Sequence, residues 1–419
     1  MGQNDNDEVL IIGGGVIGVC CAYYLAAAGR RVTLVEEHDV CSGCSSGNAG
    51  LIVPSHCIPL ASAGIPAKAL QWMFDRNAPF YVKPRLDWEL AVWLYRFVRN
   101  CRTSVMREAI PVIRDLTRAS LHLFRELALI DSFEFGFEQK GLLFLFDTSA
   151  GLKDGREEAH LLREFGIGSE ELDIPRCREL GPAIKPSISG GVYFPGDGQL
   201  IPADFVRGLA RKAESMGVAI HTSTPVHSFQ VSGGRISAVL TTAGEFRPSE
   251  VVVASGAWSS ILFRELGVKL PLQAGKGYSL TASDARAVNL QTPLILHEAR
   301  VAVTPMGKGI RFGGTLELSG LDTSINERRS RNVLTSAARY LSGIETLQPS
   351  EPWAGLRPCT PDGLPVIGRT KELNNLIIAT GHAMLGITLG PITGKLVSEL
   401  ICGTQPTFDA MDLGPARFL

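Results

Sequence analysis

Residues 9–37, VLIIGGGVIGVCCAYYLAAAGRRVTLVEE, constrain the fold more than any other stretch of the chain. The apolar run at 9–12 suits a strand covered on both faces, as parallel strands are. Gly13, Gly15 and Gly18 follow as G-x-G-x-x-G where strand should pass into helix. The first permits a tight turn, the second lets the backbone approach a pyrophosphate, and the third lets the helix pack close to the sheet. A helix is predicted over 17–28, closed by a left-handed Gly29, with its positive end and free amides facing the turn. A second strand, 32–35, ends at Glu36, whose carboxylate can accept ribose hydroxyls and would repel a 2'-phosphate. These features stand in register, so the unit is a dinucleotide site that disfavours NADP. Gly14, Val16, Ile17 and Glu37 belong to it by position.

Composition bounds the remainder. The 419 residues, 45% hydrophobic and 20% charged, exceed one comfortable core and predict two domains. Lys plus Arg (41) nearly cancels Asp plus Glu (42), which gives no electrostatic reason to expect nucleic acid and leaves a small molecule as partner. The apolar run at 9–29 resembles a signal peptide in hydropathy, but the residues before it are acidic, so a cytoplasmic start is expected. Nine scattered cysteines fit a reducing compartment. Cys41 and Cys44 form C-x-x-C, yet no second pair or paired histidines accompany them, so no metal site is assigned.

Along the chain, residues 41–54 (CSGCSSGNAGLIVP) have a composition suited to wrapping a ligand with amides and hydroxyls. Helices are predicted at 88–101, where Trp93 and flanking arginines leave a peripheral membrane contact open, and at 111–129. A strand is read at 141–146, then a turn, DGQLIP, before an amphipathic helix at 203–216. A β-meander through Gly233 and Gly234, a buried strand breaking into a Gly turn at 251–258, and antiparallel strands around 309–318 follow. A strand at 376–379 leads through a loop, 380–386, to a closing helix over 391–401.

The blocks GGGVIG, SSGNAG, DGQLIP, VVVASGAW, GKGYSL, GGTLE, GLRPCTPDGLPVIG and GHAMLGITLGPITG occur in order from residue 9 to about 402. Together they resemble the FAD-dependent amine and amino-acid oxidoreductases, most of all bacterial D-amino-acid dehydrogenases and glycine oxidases. The resemblance implies a mixed α/β and α+β chain: a Rossmann-type FAD-binding domain (1–80, 196–265 and 352–419) and a discontinuous substrate domain on a large antiparallel sheet (81–195 and 266–351). It implies that Ser45, Ser46, Asn48, Ala49, Gly50 and Leu51 pass near the flavin and that Val226 lies by the adenine. Gly256, Trp258, Gly355, Gly381, Gly386, Ile387 and Thr388 complete the cofactor set, the final helix directing its positive end at the flavin. Sarcosine oxidases of this superfamily attach flavin through a cysteine, but aligning T-P-D places that position at Gly355, so the FAD is expected to be non-covalent.

Oxidation of an amine to an imine needs a hydride acceptor, a clamp that orients Cα, and a neutral nitrogen. Arg357, in GLRP, is the expected clamp, because guanidinium meets a carboxylate bidentately and stays charged; Arg300 or Tyr278 is next in line. The resemblance places Ala302 where glycine oxidases have a tyrosine and Met384 where they have an arginine, which implies a roomier, less polar pocket. Tyr278 and His382 are the candidates for compensating hydrogen bonds. Ile387 and PITG depart from the pattern of D-alanine-type enzymes. The expected activity is oxidation of a D-amino or cyclic imino acid, of D-alanine-like or D-hydroxyproline-like type, with a quinone or O2 as electron acceptor. A sarcosine or glycine oxidase is the alternative, and a catalytically silent flavin-binding subunit a third. The expected location is the cytoplasm, with an inner-membrane contact left open.

Overall fold

The computed structural model describes residues 8–65, 80–286, 288–408 and 413–418; the acidic lead at 3–7 lies outside them. Two sheets dominate. The first has six strands in the order Val366–Arg369, Leu376–Thr380, Glu250–Val253, Glu8–Ile12, Arg31–Val35, Ala219–His221. Its strands run parallel except for the antiparallel edge Val366–Arg369. Because strand side chains alternate, Val9 and Ile11 enter one core with Leu34, Val252 and Ile377, while Leu10 and Ile12 enter another with Val35, Val251 and Ile378. A sheet buried on both faces accounts for the unbroken apolar runs in its sequence.

The predicted β-α-β unit forms with small shifts: strand Glu8–Ile12, helix Val16–Ala27, strand Arg31–Val35, and Gly29 at φ +78° after the helix. The closing helix starts earlier than expected. It spans Gly386–Cys402, with Pro391 inside rather than at its start. Glycines let it lie against the first helix: a Cβ at Gly390 would meet Val16 Cγ2 at 2.8 Å, and one at Gly394 the carbonyl carbon of Cys20 at 2.5 Å. The stretch Ala383–Cys402 is long and apolar enough to cross a membrane, but 61% of its most apolar window is buried inside the fold. Likewise Pro111 lies within the helix Thr103–Leu127 rather than opening it. Ala109, Ile110, Ile113 and Leu116 continue one buried stripe past it, so packing overrides the local penalty of the proline.

The second sheet has nine strands, ordered Trp353–Cys359, Gln273–Ala282, Gly309–Leu318, Val301–Met306, Leu294–Leu296, Leu142–Phe146, Gly190–Phe194, Glu170–Leu172, with Phe80–Val82 paired to Gly309–Leu318. Trp353–Cys359 falls in a segment allotted to the FAD domain, yet it pairs with Gln273–Ala282 over seven positions of this second sheet. The helix Trp88–Asn100 turns Trp93 inward. Its ring stacks on Phe97 with centroids 5.0 Å apart, and Nε1–H donates to Cys359 O at 2.9 Å.

Candidate active site

Both sheets contribute walls to one cavity of about 1490 Å³, larger than the roughly 300–1,000 Å³ of a pocket for one drug-sized ligand. It has room for a dinucleotide and a small substrate together. From the glycine turn, Gly13, Gly15, Val16, Ile17, Glu36 and Glu37 line it. Ser45, Asn48, Ala49 and Leu51 continue the wall along the next loop, Val226, Gly256, Trp258 and Gly355 add to it, and Gly386 and Ile387 bring the N-terminal turn of the last helix. The positive end of that helix therefore faces the cavity.

Six assigned residues stand behind the wall and shape it instead. Gly14 N–H donates to Glu36 Oε2 at 2.6 Å, and His38 N–H to Glu36 Oε1 at 3.0 Å, which fixes the carboxylate at the end of its strand. A Cβ on Gly18 would lie 1.8 Å from Gly13 O. The Ser46 hydroxyl donates to Gly43 O, Gly50 at φ +73° abuts Leu200 O, and Gly381 at φ +79° packs on Thr360. The Thr388 hydroxyl donates to Leu51 O at 2.9 Å.

The fit to a dinucleotide rests on this cradle. Gly13 at φ +116° leaves no space for a side chain, since a Cβ would meet Ala254 O at 2.7 Å. The amides of the first helical turn are free donors by construction, and Val16 N–H is held by Ser45 Oγ at 3.0 Å, which ties the serine-rich loop to the turn. Arg311, which sequence reasoning missed, closes that loop from the other sheet, donating from Nη1 to Ser46 O and Asn48 O at 2.7 Å each. Trp353, also missed, has its ring between Gly47 and Gly355, where Cβ atoms would come within 2.1 and 2.0 Å of it. Among the described residues no cluster of three metal ligands exists, and all nine cysteines are free.

On the nine-stranded sheet, Arg357 lies on the cavity wall with its guanidinium over Gly277, where a Cβ would meet Nη1 at 2.2 Å. Nη1 donates to Thr315 O at 2.8 Å. No carboxylate among the described residues pairs with it, and burial lowers its guanidinium below the usual range. An arginine does not give up its proton, and a cavity-wall charge without a carboxylate beside it is stabilised by an anion that reaches it, which makes Arg357 the candidate anion site. Arg329 shows the contrast: more deeply buried than the half-buried Arg357, it is bonded through Nε to Glu317.

Thr315 is placed by a β-bulge. The ladder runs Lys276↔Glu317, then Tyr278↔Gly314, so Thr315 and Leu316 together oppose Gly277. Thr315 sits at φ +67°, rare for a β-branched residue, at a cost of roughly 1–3 kcal/mol. The distortion turns its carbonyl to Arg357.

The other two candidates are placed differently from the arginine. Tyr278 reaches the cavity wall, but its ring lies under Lys276 Nζ, 5.8 Å from the centroid, beside the Glu317 network. Its buried hydroxyl has no partner, and burial, with the Glu317 charge, pushes it up to about 12. The strand pleat explains this: residues 276 and 278 share the face opposite Gly275 and Gly277. His382 lines the cavity, with Nε2 at 2.9 Å from Thr393 Oγ1 and Nδ1 without a partner; burial lowers it to about 3. His56, which the sequence did not single out, is lowered to about 4 by burial and the nearby Arg300 charge. Beside it, Asp197 of the DGQLIP turn is buried, accepts from Ser55 N–H at 3.0 Å and from its hydroxyl, and is pushed up by burial to about 7.

The model of the family described as FAD dependent oxidoreductase (DAO) matches residues 8–400. A D-amino acid dehydrogenase of Cereibacter sphaeroides is 35% identical over 416 residues, covering 98% of this chain and 95% of its own length. One from Sinorhizobium medicae is 35% identical over 419 residues, covering 98% and 100%. Glycine oxidase from Geobacillus kaustophilus superposes with a TM-score of 0.80 at 25% identity, covering 99% of this chain and 100% of its own. L-proline dehydrogenase from P. horikoshii shares the fold, with a TM-score of 0.75 at 23% identity. A glycine cradle, an acid at the end of the second strand and an unpaired arginine across one cavity, with a family match over nearly the whole chain, make this protein a member of the FAD-dependent oxidoreductase family.

Proposed function

We propose that the chain oxidises a D-amino acid or cyclic imino acid, D-alanine-like or D-hydroxyproline-like, by hydride transfer from Cα, the product imine then hydrolysing or, in a ring, persisting as a pyrroline. The observation that carries this is Arg357, a cation with no carboxylate partner among the described residues, on the wall of the cavity that the glycine turn also lines. Bound FAD supplies the hydride acceptor. Arg357 holds the substrate carboxylate through its planar fork, Thr315 O fixes the fork, and Gly277 gives it room. His56 and His382, lowered to about 4 and 3, are neutral at physiological pH and place no imidazolium against the substrate amine. Ala302 and Ile387 add apolar surface to the cavity wall. The names of the full-length relatives support the D configuration.

Arg357→Ala should keep the FAD absorbance while kcat/KM for the best D-amino acid falls at least about 1,000-fold, from loss of a charge-assisted pair and of Cα orientation. Arg357→Lys should recover part of it. Steady-state kinetics with a panel of D-amino and imino acids decides, and activity within about tenfold of wild type places the clamp elsewhere.

For the acceptor, the reading is a quinone reached at a cytoplasmic membrane face. Trp93 does not support it, being buried, but Trp88, Tyr95 and Val98 are exposed on the same helix, beside Arg99 and Arg102. Reduced enzyme should reoxidise slowly in air and fast with a soluble quinone; rapid stoichiometric peroxide would favour an oxidase.

A further inference from the structure

We infer that Arg300 forms a second anion subsite on the same cavity wall as Arg357, so that the preferred substrates carry an acidic side chain. The inference rests on the amino-acid oxidation proposed above and takes its substrates to be acidic D-amino acids in place of D-alanine-like ones. Val301 pairs with Gly314, so Arg300 stands beside Thr315 on the neighbouring strand. A Cβ on Gly314 would come 3.4 Å from Arg300 O. Thr315 in turn opposes Gly277, on which the Arg357 guanidinium lies. With strands about 4.8 Å apart, two steps put Arg300 about 10 Å along this row from Gly277. Two long cationic side chains on such a baseline suit a carboxylate at each end of a short amino acid.

Arg300 is exposed, and three observations tie it to the cavity. It lines the same cavity as Arg357. No carboxylate among the described residues pairs with it, although the helix Ser149–Glu164 brings Asp154, Glu157 and Glu158 to that cavity. Its backbone is at φ +54° in the turn before Val301–Met306, so it and Thr315, at +67° on the neighbouring strand, are strained neighbours, a pattern that concentrates at ligand sites. His56 is close enough to feel the Arg300 charge, and burial, with that charge, lowers it to about 4, so it adds no positive charge of its own beside Arg300.

The test uses FAD-loaded protein and two unreactive ligands of equal length, glutarate and valerate. By calorimetry, glutarate should bind at least about 30-fold tighter. Arg300→Gln should bring that ratio within about threefold, and Arg300→Lys should keep part of it. In turnover, the ratio of kcat/KM for D-glutamate over D-glutamine should fall at least about 30-fold in Arg300→Gln. Equal binding of the two ligands by wild type, or a ratio that survives Arg300→Gln, overturns the subsite. If no amino acid is oxidised, the proposed reaction is what fails, and the ligand ratio still decides the subsite.

Discussion

The two sheets recognise their ligands by opposite means. The six-stranded sheet presents backbone: glycines without side chains, helix amides, and one carboxylate fixed by two of its neighbours' N–H groups. Its interior is apolar on both faces. The nine-stranded sheet presents side chains. It carries charge in its interior, some of it paired, as in Lys276, Glu317, Arg329 and Asp322, and some of it not, as in Arg357. A phosphate-bearing cofactor shared by many proteins can be held by a conformation that any backbone adopts once the glycines are in place. The substrate clamp proposed for Arg357 needs a particular functional group at a particular spot, and the strained Thr315 carbonyl fixes that group by accepting from its Nη1.

This contrast can be broken most sharply at its glycines. Gly18→Ala puts a Cβ 1.8 Å from a backbone oxygen that cannot move without opening the turn. The variant should lose FAD during purification and unfold at markedly lower temperature, as seen by flavin absorbance and a thermal melt. Gly277→Ala places its Cβ 2.2 Å from Arg357 Nη1, the far end of a flexible side chain. Here the guanidinium should move aside, leaving FAD content and melting temperature near wild type while kcat/KM falls by about 100-fold. Equal loss of FAD in both variants would erase the distinction.

The smallest effect tests a buried carboxyl that holds Ser55. Asp197 is raised in the folded state to about 7, against about 3.9 unfolded. Its contribution to stability is therefore full below about pH 4 and is lost as pH rises through 7. Asp197→Asn keeps an acceptor for Ser55 N–H without that penalty, so its melting temperature relative to wild type should rise between pH 4 and pH 8. A pH-independent difference would mean that the carboxyl ionises in the fold as it does in the unfolded chain.

The nucleotide half was legible because its signals are local: glycine spacing, an apolar run and an acid, all within 29 residues. Arg357 was legible only through the ordered blocks around it. What could not be read depends on residues far apart in the chain. Pro111 and Pro391 look like helix starts until the stripes on either side find their partners. Trp93 suggests a surface anchor until Cys359, 266 residues away, takes its N–H. The direction of Tyr278 follows from the pleat and from a pairing with Gly314 that leaves no mark in either sequence. An arginine inside the alternating strand GIRFGG was a usable signal for Arg311, since a cation there must find carbonyls or carboxylates.

The bulge at Thr315 and Leu316 has a consequence for how such a chain can vary. Gly314 and Glu317 keep to the face packed by the helix Glu327–Tyr340, so counting through the strand comes out right only if one residue is surplus. Deleting Thr315 would therefore leave the ladder regular, with every other side chain of Gly309–Leu318 on its present face. The core would not register the loss, but the carbonyl turned toward Arg357 would be gone. At this position a single insertion or deletion is almost silent for folding and decisive for the ligand, so length variation here can retune the pocket without rebuilding the sheet.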